Sequence, residues 1–158
     1  MITLKIIGSV VLVASGVLTA LSYRRFEWRK LSTLDGFISL IFYIKGQIDC
    51  YARPRGEILE SLPPEVFYAC NCPHGARTLE EMIDSSRIYL DEEPLRLLSS
   101  FASEFGSTFR VEQLRRCDHY ISSLGEQRRI VAAEVKSKSR AGSAMWICLS
   151  LGIMILLW

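Results

Sequence analysis

Cys70-Asn71-Cys72-Pro73-His74 is the stretch of this chain whose residue types and spacing come nearest to chemistry. Two thiolates and an imidazole so close together would supply three of the four ligands that a tetrahedral zinc site takes. No clear fourth ligand and no second cysteine pair accompany Cys70, Cys72 and His74, so the sequence favours a structural turn over a metal site. Neither G-x-x-x-x-G-K-[ST] nor G-x-G-x-x-G occurs, which argues against nucleotide binding. His74 falls in a Pro-Gly loop, and His119 lies beside Asp118 on a charged helix face; both read as solvated side chains and not as general bases. Asp91-Glu92-Glu93 precedes Pro94 and reads as a helix start, where acids complement the dipole. No catalytic residue and no cofactor is expected, and the chain reads as non-enzymatic.

The elements that would carry this segment are framed by two apolar runs, Ile6 to Tyr23 and Ala141 to Trp158, each 18 residues long. A membrane-spanning helix needs ~20 apolar residues, with a lower limit of ~17. The expectation is therefore two transmembrane helices, 1–23 and 141–158, around a soluble domain, 24–140. Arg24, Arg25, Arg29 and Lys30, against Glu27, give the exit of the first run a charge of +3, and Arg128, Arg129, Lys136, Lys138 and Arg140, against Glu134, give the approach to the second +4. Positive collars mark the cytoplasmic side, so the predicted topology is a two-pass cell-membrane protein with a cytoplasmic middle. Residues 31–127 carry 9 basic and 15 acidic side chains, which leaves a soluble surface of −6. A cytoplasmic position also implies reduced thiols at Cys50, Cys70, Cys72 and Cys117. The collars lack the interleaved aromatics of a nucleic-acid surface, so no nucleic acid is expected.

Behind each collar runs an apolar stripe of helical spacing. Leu34, Phe37, Ile41, Ile44, Ile48 and Tyr51 follow one another at three and four residues, and Leu114, Cys117, Ile121, Leu124, Val131 and Val135 do likewise, with Arg128 in register. Two such helices, one leaving and one returning, are expected to pair as an antiparallel stalk. Gly36 and Gly46 lie off the first stripe.

Short helices are predicted between them: Arg55 to Leu62, ended by Pro63-Pro64; Pro64 to Ala69; Thr78 toward Leu90; and one from Asp91 that stops at Gly106. Thr78-Leu79-Glu80-Glu81 has the capping-box pattern. No β-type alternation appears, so the fold class is all-α, a helical bundle of five or six helices with a long antiparallel pair.

The order of these features resembles the stage III sporulation protein AB family. The residues that carry the resemblance are Tyr51-Ala52-Arg53-Pro54, Glu57-Ile58-Leu59, Phe105-Gly106, Glu112-Gln113-Leu114, Cys117, Tyr120, Leu124, the Lys136 to Arg140 collar, and the closing Leu149, Gly152 and Ile153 to Leu157. The resemblance implies a mother-cell membrane component of the channel between mother cell and forespore, with a cytoplasmic domain similar to secretion platform proteins. It further implies a secretion-type ATPase, stage III sporulation protein AA, as partner, and it allows a homo-oligomer. An adaptor of another secretion or pilus-like assembly is the alternative.

Overall fold

The computed structural model describes residues 2–51, 55–72, 76–107 and 109–157; in 2–13, at 55, and in 138–157 apart from Gly152 the description is of backbone alone. The described elements are all helical: α1 Ile2–Tyr51, α2 Arg55–Glu60, α3 Pro64–Ala69, α4 Leu79–Ser86, a 3-10 turn Arg87–Tyr89, α5 Glu92–Glu104 and α6 Arg110–Leu157. They form two compact units, Met1–Trp28 with Ala132–Trp158, and Arg29–Val131.

Among the described residues no helix is long and apolar enough to cross a membrane. This corrects the expectation of two transmembrane helices, and with it the two-pass topology, the cell-membrane localisation and the membrane-embedded part of the platform reading. Of the first apolar run, only 14–23 have described side chains, about half of the ~20 residues that a span requires. Within that stretch Ser15, Thr19 and Ser22 recur on one side, and the Thr19 hydroxyl donates to the Ser15 carbonyl at 2.9 Å. The side chains at 6–13, and at 141–158 save Gly152, lie outside the described residues.

The core belongs to the unit Arg29–Val131. Along α1, Leu31, Leu34, Phe37, Leu40, Ile41, Ile44 and Ile48 are buried; spaced by threes and fours, they form one helix face. Each such side chain contributes about 1.5–3 kcal/mol through the apolar surface it removes from water. Tyr51 is exposed, because α1 ends there. Gly36 lies where α1 meets the end of α3: a Cβ at this position would run into the Ala69 carbonyl and stand 2.8 Å from the Cys70 nitrogen. The Tyr43 hydroxyl donates to the Ser61 carbonyl at 2.9 Å and so fixes the end of α2 against the same helix.

α4 begins at the N-cap Thr78, whose hydroxyl accepts from the Glu81 amide at 3.2 Å, while the Glu81 carboxylate accepts from the Arg77 amide at 2.7 Å. The reciprocal bond thus reaches one residue further back than a capping box requires. The helix stops at Ser86 and tightens into the 3-10 turn, short of the expected Leu90. α5 starts at the N-cap Asp91 without a side-chain capping bond, since that carboxylate accepts from the Lys30 ammonium at 2.9 Å. Phe101 of α5 meets Tyr120 of α6 edge to face, ring centres 5.4 Å apart, a favourable quadrupole arrangement. Gly106, at φ 84°, turns the chain between them in a region that only glycine occupies freely.

Candidate interaction surface

The Cys-Asn-Cys segment closes α3. The Asn71 amide donates to the Tyr68 carbonyl at 3.0 Å, and the Cys72 amide donates to the Phe67 carbonyl at 2.9 Å. With Asn71 at φ 55°, these two bonds make a Schellman cap, in which asparagine takes the left-handed position usually given to glycine. The Asn71 side-chain amide donates to the Thr33 hydroxyl of α1 at 2.6 Å. Ser86 of α4, fully buried, brings its hydroxyl within 2.6 Å of the Cys70 carbonyl, and the Cys72 sulfur stands 3.2 Å from the Met82 carbonyl. The segment therefore joins three helices through one turn.

Burial pushes the Cys70 thiol well above the ordinary cysteine range, and the neighbouring Cys72 adds to the shift. A thiol held protonated is a poor nucleophile. Among the described residues no group of three or more His, Cys, Asp and Glu could hold a metal; His74 lies outside them.

A second arrangement links α1 to α6. Asp35 pairs with Arg128, the Lys45 ammonium lies 2.6 Å from the Asp118 carboxylate, and the Arg110 guanidinium lies 3.2 Å from the Asp49 carboxylate while also donating to the Asp49 carbonyl. From Asp35 to Lys45 the chain advances ten residues, and from Arg128 to Asp118 it retreats by the same number, so the two helices run antiparallel in this unit. Arg110 meets the last turn of α1, which has no basic residue of its own and whose dipole favours a cation there. All six side chains are between about a third and three fifths exposed, so solvent screening keeps each pair weak. The ladder sets register more than it adds stability.

The apolar residues of the α6 stripe divide by depth. Cys117, Leu124, Val131 and Val135 are buried, whereas Leu114 and Ile121 are half-buried. Tyr120, absent from the expected stripe, is buried as well. Burial pushes the Cys117 thiol up to about 11. Of the collar residues, Arg24, Arg25, Arg29 and Lys136 are exposed, while Lys138 and Arg140 lie outside the described side chains. Arg29 reaches the Tyr89 hydroxyl at 3.3 Å and Lys30 reaches Asp91, so this part of the first collar is spent on α5 and the turn before it.

Sequence reasoning missed Asp35, Lys45, Asp49, Arg110 and Asp118 as a set. For Asp35, Lys45, Asp118 and Arg128 the signal was present in equal ten-residue steps between opposite charges on the two helices, whereas Asp49 and Arg110, four and eight residues further on, do not share it.

The segment from α4 to the start of α5 forms an acidic edge. Between residues 77 and 96 there are six carboxylates, Glu80, Glu81, Asp84, Asp91, Glu92 and Glu93, against Arg77, Arg87 and Arg96. Ile88, 74% exposed, stands in the middle of this stretch on the 3-10 turn.

The family model of stage III sporulation protein AB matches residues 75–158, more than half of the chain, and the chain belongs to this family. The matched stretch takes in α4, α5 and α6. No curated protein and no solved structure matches the chain. The family is one of scaffold or adaptor proteins, so the role is non-enzymatic, and membership supports association with a cognate ATPase of the stage III sporulation protein AA type.

Proposed function

We propose that this chain serves sporulation as a non-enzymatic, secretion-platform-like adaptor whose acidic α4 to α5 edge docks the AA-type ATPase. The observation that carries this reading is the excess of carboxylates over arginines in the segment 77–96 that carries the exposed Ile88. An exposed apolar side chain in a segment of net acidic charge has the anatomy of a docking point, in which burial gives affinity and the surrounding charge gives steering and partner choice. The preferred partner surface is basic with an apolar recess.

Capture of the ATPase by the full chain tests the proposal. Asp84→Lys together with Glu92→Lys is expected to weaken capture at least tenfold at low salt, with the helical circular dichroism signal unchanged. Capture that is unaffected by this double change, yet abolished by Phe109→Ser with Val111→Ser at the start of α6, would place docking at the other end of the unit and sink the proposal.

A further inference from the structure

Beside the α1 and α6 ladder, Ser39, Phe42, Gly46 and Asp49 of α1 and Asp118 and Ser122 of α6 are exposed, so this face of the helix pair is open among the described residues. Phe42 lies on the same line of α1 as Asp35, Lys45 and Asp49, at steps of three, four and seven residues, and is 55% exposed. By helical spacing four small residues share this face with the charges of the ladder: Ser39 and Gly46 of α1, and Ser122 and Gly125 of α6. Glycine weakens a helix interior, so its presence there wants a reason. Gly36 has one, its close approach to Ala69. Gly46 and Gly125 have none among the described residues, because a Cβ at either position would meet nothing within 4 Å.

We propose that this face is an interface with a second copy of the chain, packed about a two-fold axis parallel to α1 and α6. Such an axis sets α1 of one copy over α6 of the other at the same level. The ladder already opposes unlike charges at each level, and the symmetry repeats that opposition between copies. Asp35 faces the region of the other copy's Arg128, Lys45 that of Asp118, and Asp49 that of Arg110. No level brings like charges together. Every helix then has an antiparallel neighbour on both sides, as in an up-down four-helix bundle. Phe42 enters the space left by the small residues opposite, and the isologous symmetry makes the same contact twice. This interface is independent of ATPase docking, since its residues lie on α1 and α6 and not on the acidic edge.

The test is the mass of the full chain alone, by light scattering in a mild non-ionic detergent that keeps its apolar ends dispersed, across a wide range of concentration. The expected mass is twice the 17.9 kDa of one chain. Gly125→Arg should halve it while leaving helicity and thermal stability at least as high, because the added side chain enters open space in the single chain. Phe42→Ser should shift the dimer to higher concentration. Lys45→Asp should break the dimer, and Lys45→Asp with Asp118→Lys should restore it. A wild-type mass of one chain at every concentration would overturn the proposal. So would an oligomer of any size that Gly125→Arg leaves intact.

Discussion

Gly36 of α1 and Ala69 of α3 touch backbone to backbone, with no room between them for a methyl group. The close approach lets the end of α3, and the Cys70 to Cys72 turn with it, lie directly on α1. Gly36→Ala should therefore cost about 1–3 kcal/mol through overpacking, although alanine is the better helix former. Gly46→Ala, where a Cβ meets open space, should instead stabilise the single chain by up to ~1 kcal/mol. Urea denaturation of both variants checks the opposite signs.

Asn71 is expected to tolerate glycine better than alanine. Alanine adds ~1–2 kcal/mol of left-handed backbone strain at φ 55° to the loss of the bond to Thr33, whereas glycine forfeits only that bond, worth about 1 kcal/mol. Thermal melts should rank the wild type first, Asn71→Gly next and Asn71→Ala last.

Ile41→Asp places a carboxylate at a position only 1% exposed, inside the face that α1 turns to the core. The loss of apolar burial and the uncompensated charge together should cost more than ~3 kcal/mol. Circular dichroism should show lost helix or a sharply lowered melting temperature, and full retention of both would refute the placement of this face.

Thiol reactivity should separate the cysteines by depth. Cys50 is exposed, whereas Cys70, Cys72 and Cys117 are buried. The Cys117 thiol is also pushed up to about 11, and Cys70 well above its usual range, so little thiolate is present at neutral pH. Iodoacetamide followed by peptide mass spectrometry should mark position 50 rapidly and positions 70, 72 and 117 only after denaturation.

Acid should release one contribution from the start of α6. The Arg115 guanidinium, and after it Arg116, hold the Glu112 carboxyl below the usual carboxylate range. A carboxyl whose folded value is depressed stabilises the fold above its unfolded value, and that contribution fades as pH falls through the folded one. The stability difference between the wild type and Glu112→Gln should therefore be present at neutral pH and vanish in strong acid. Urea midpoints over a pH series read it directly.

What the sequence discloses depends on how far apart the interacting residues lie along it. Thr78 and Glu81 announce the start of α4 because a cap is built from neighbours, and the three-and-four spacing of Leu34, Phe37, Ile41 and Ile44 is visible without any knowledge of what covers them. The end of α4 at Ser86 was hidden, since the Ser86 hydroxyl turns toward Cys70, sixteen residues earlier. Asp91 was legible as an N-cap position, but its carboxylate is drawn away by Lys30, sixty-one residues before it. Cys70, Cys72 and His74 suggested ligands because spacing alone does not show that the thiols are buried or that Asn71 caps a helix. The apolar ends illustrate the reverse limit: composition sufficed to suggest two spans, while among the described residues no helix meets the length and apolarity of one.

The Asp35 to Arg128 pair also bears on how the chain is made. These residues are 93 positions apart, so α1 leaves the ribosome long before the helix that pairs with it. During that interval Leu34, Phe37, Ile41 and Ile44 have only the early segments α2 and α3 to shelter them, then α4 and α5 as these emerge. Synthesis halted before α6 would thus yield a product with an uncovered apolar strip, prone to aggregation and to capture by chaperones. The unit Arg29–Val131 is therefore covered only once α6 has been made.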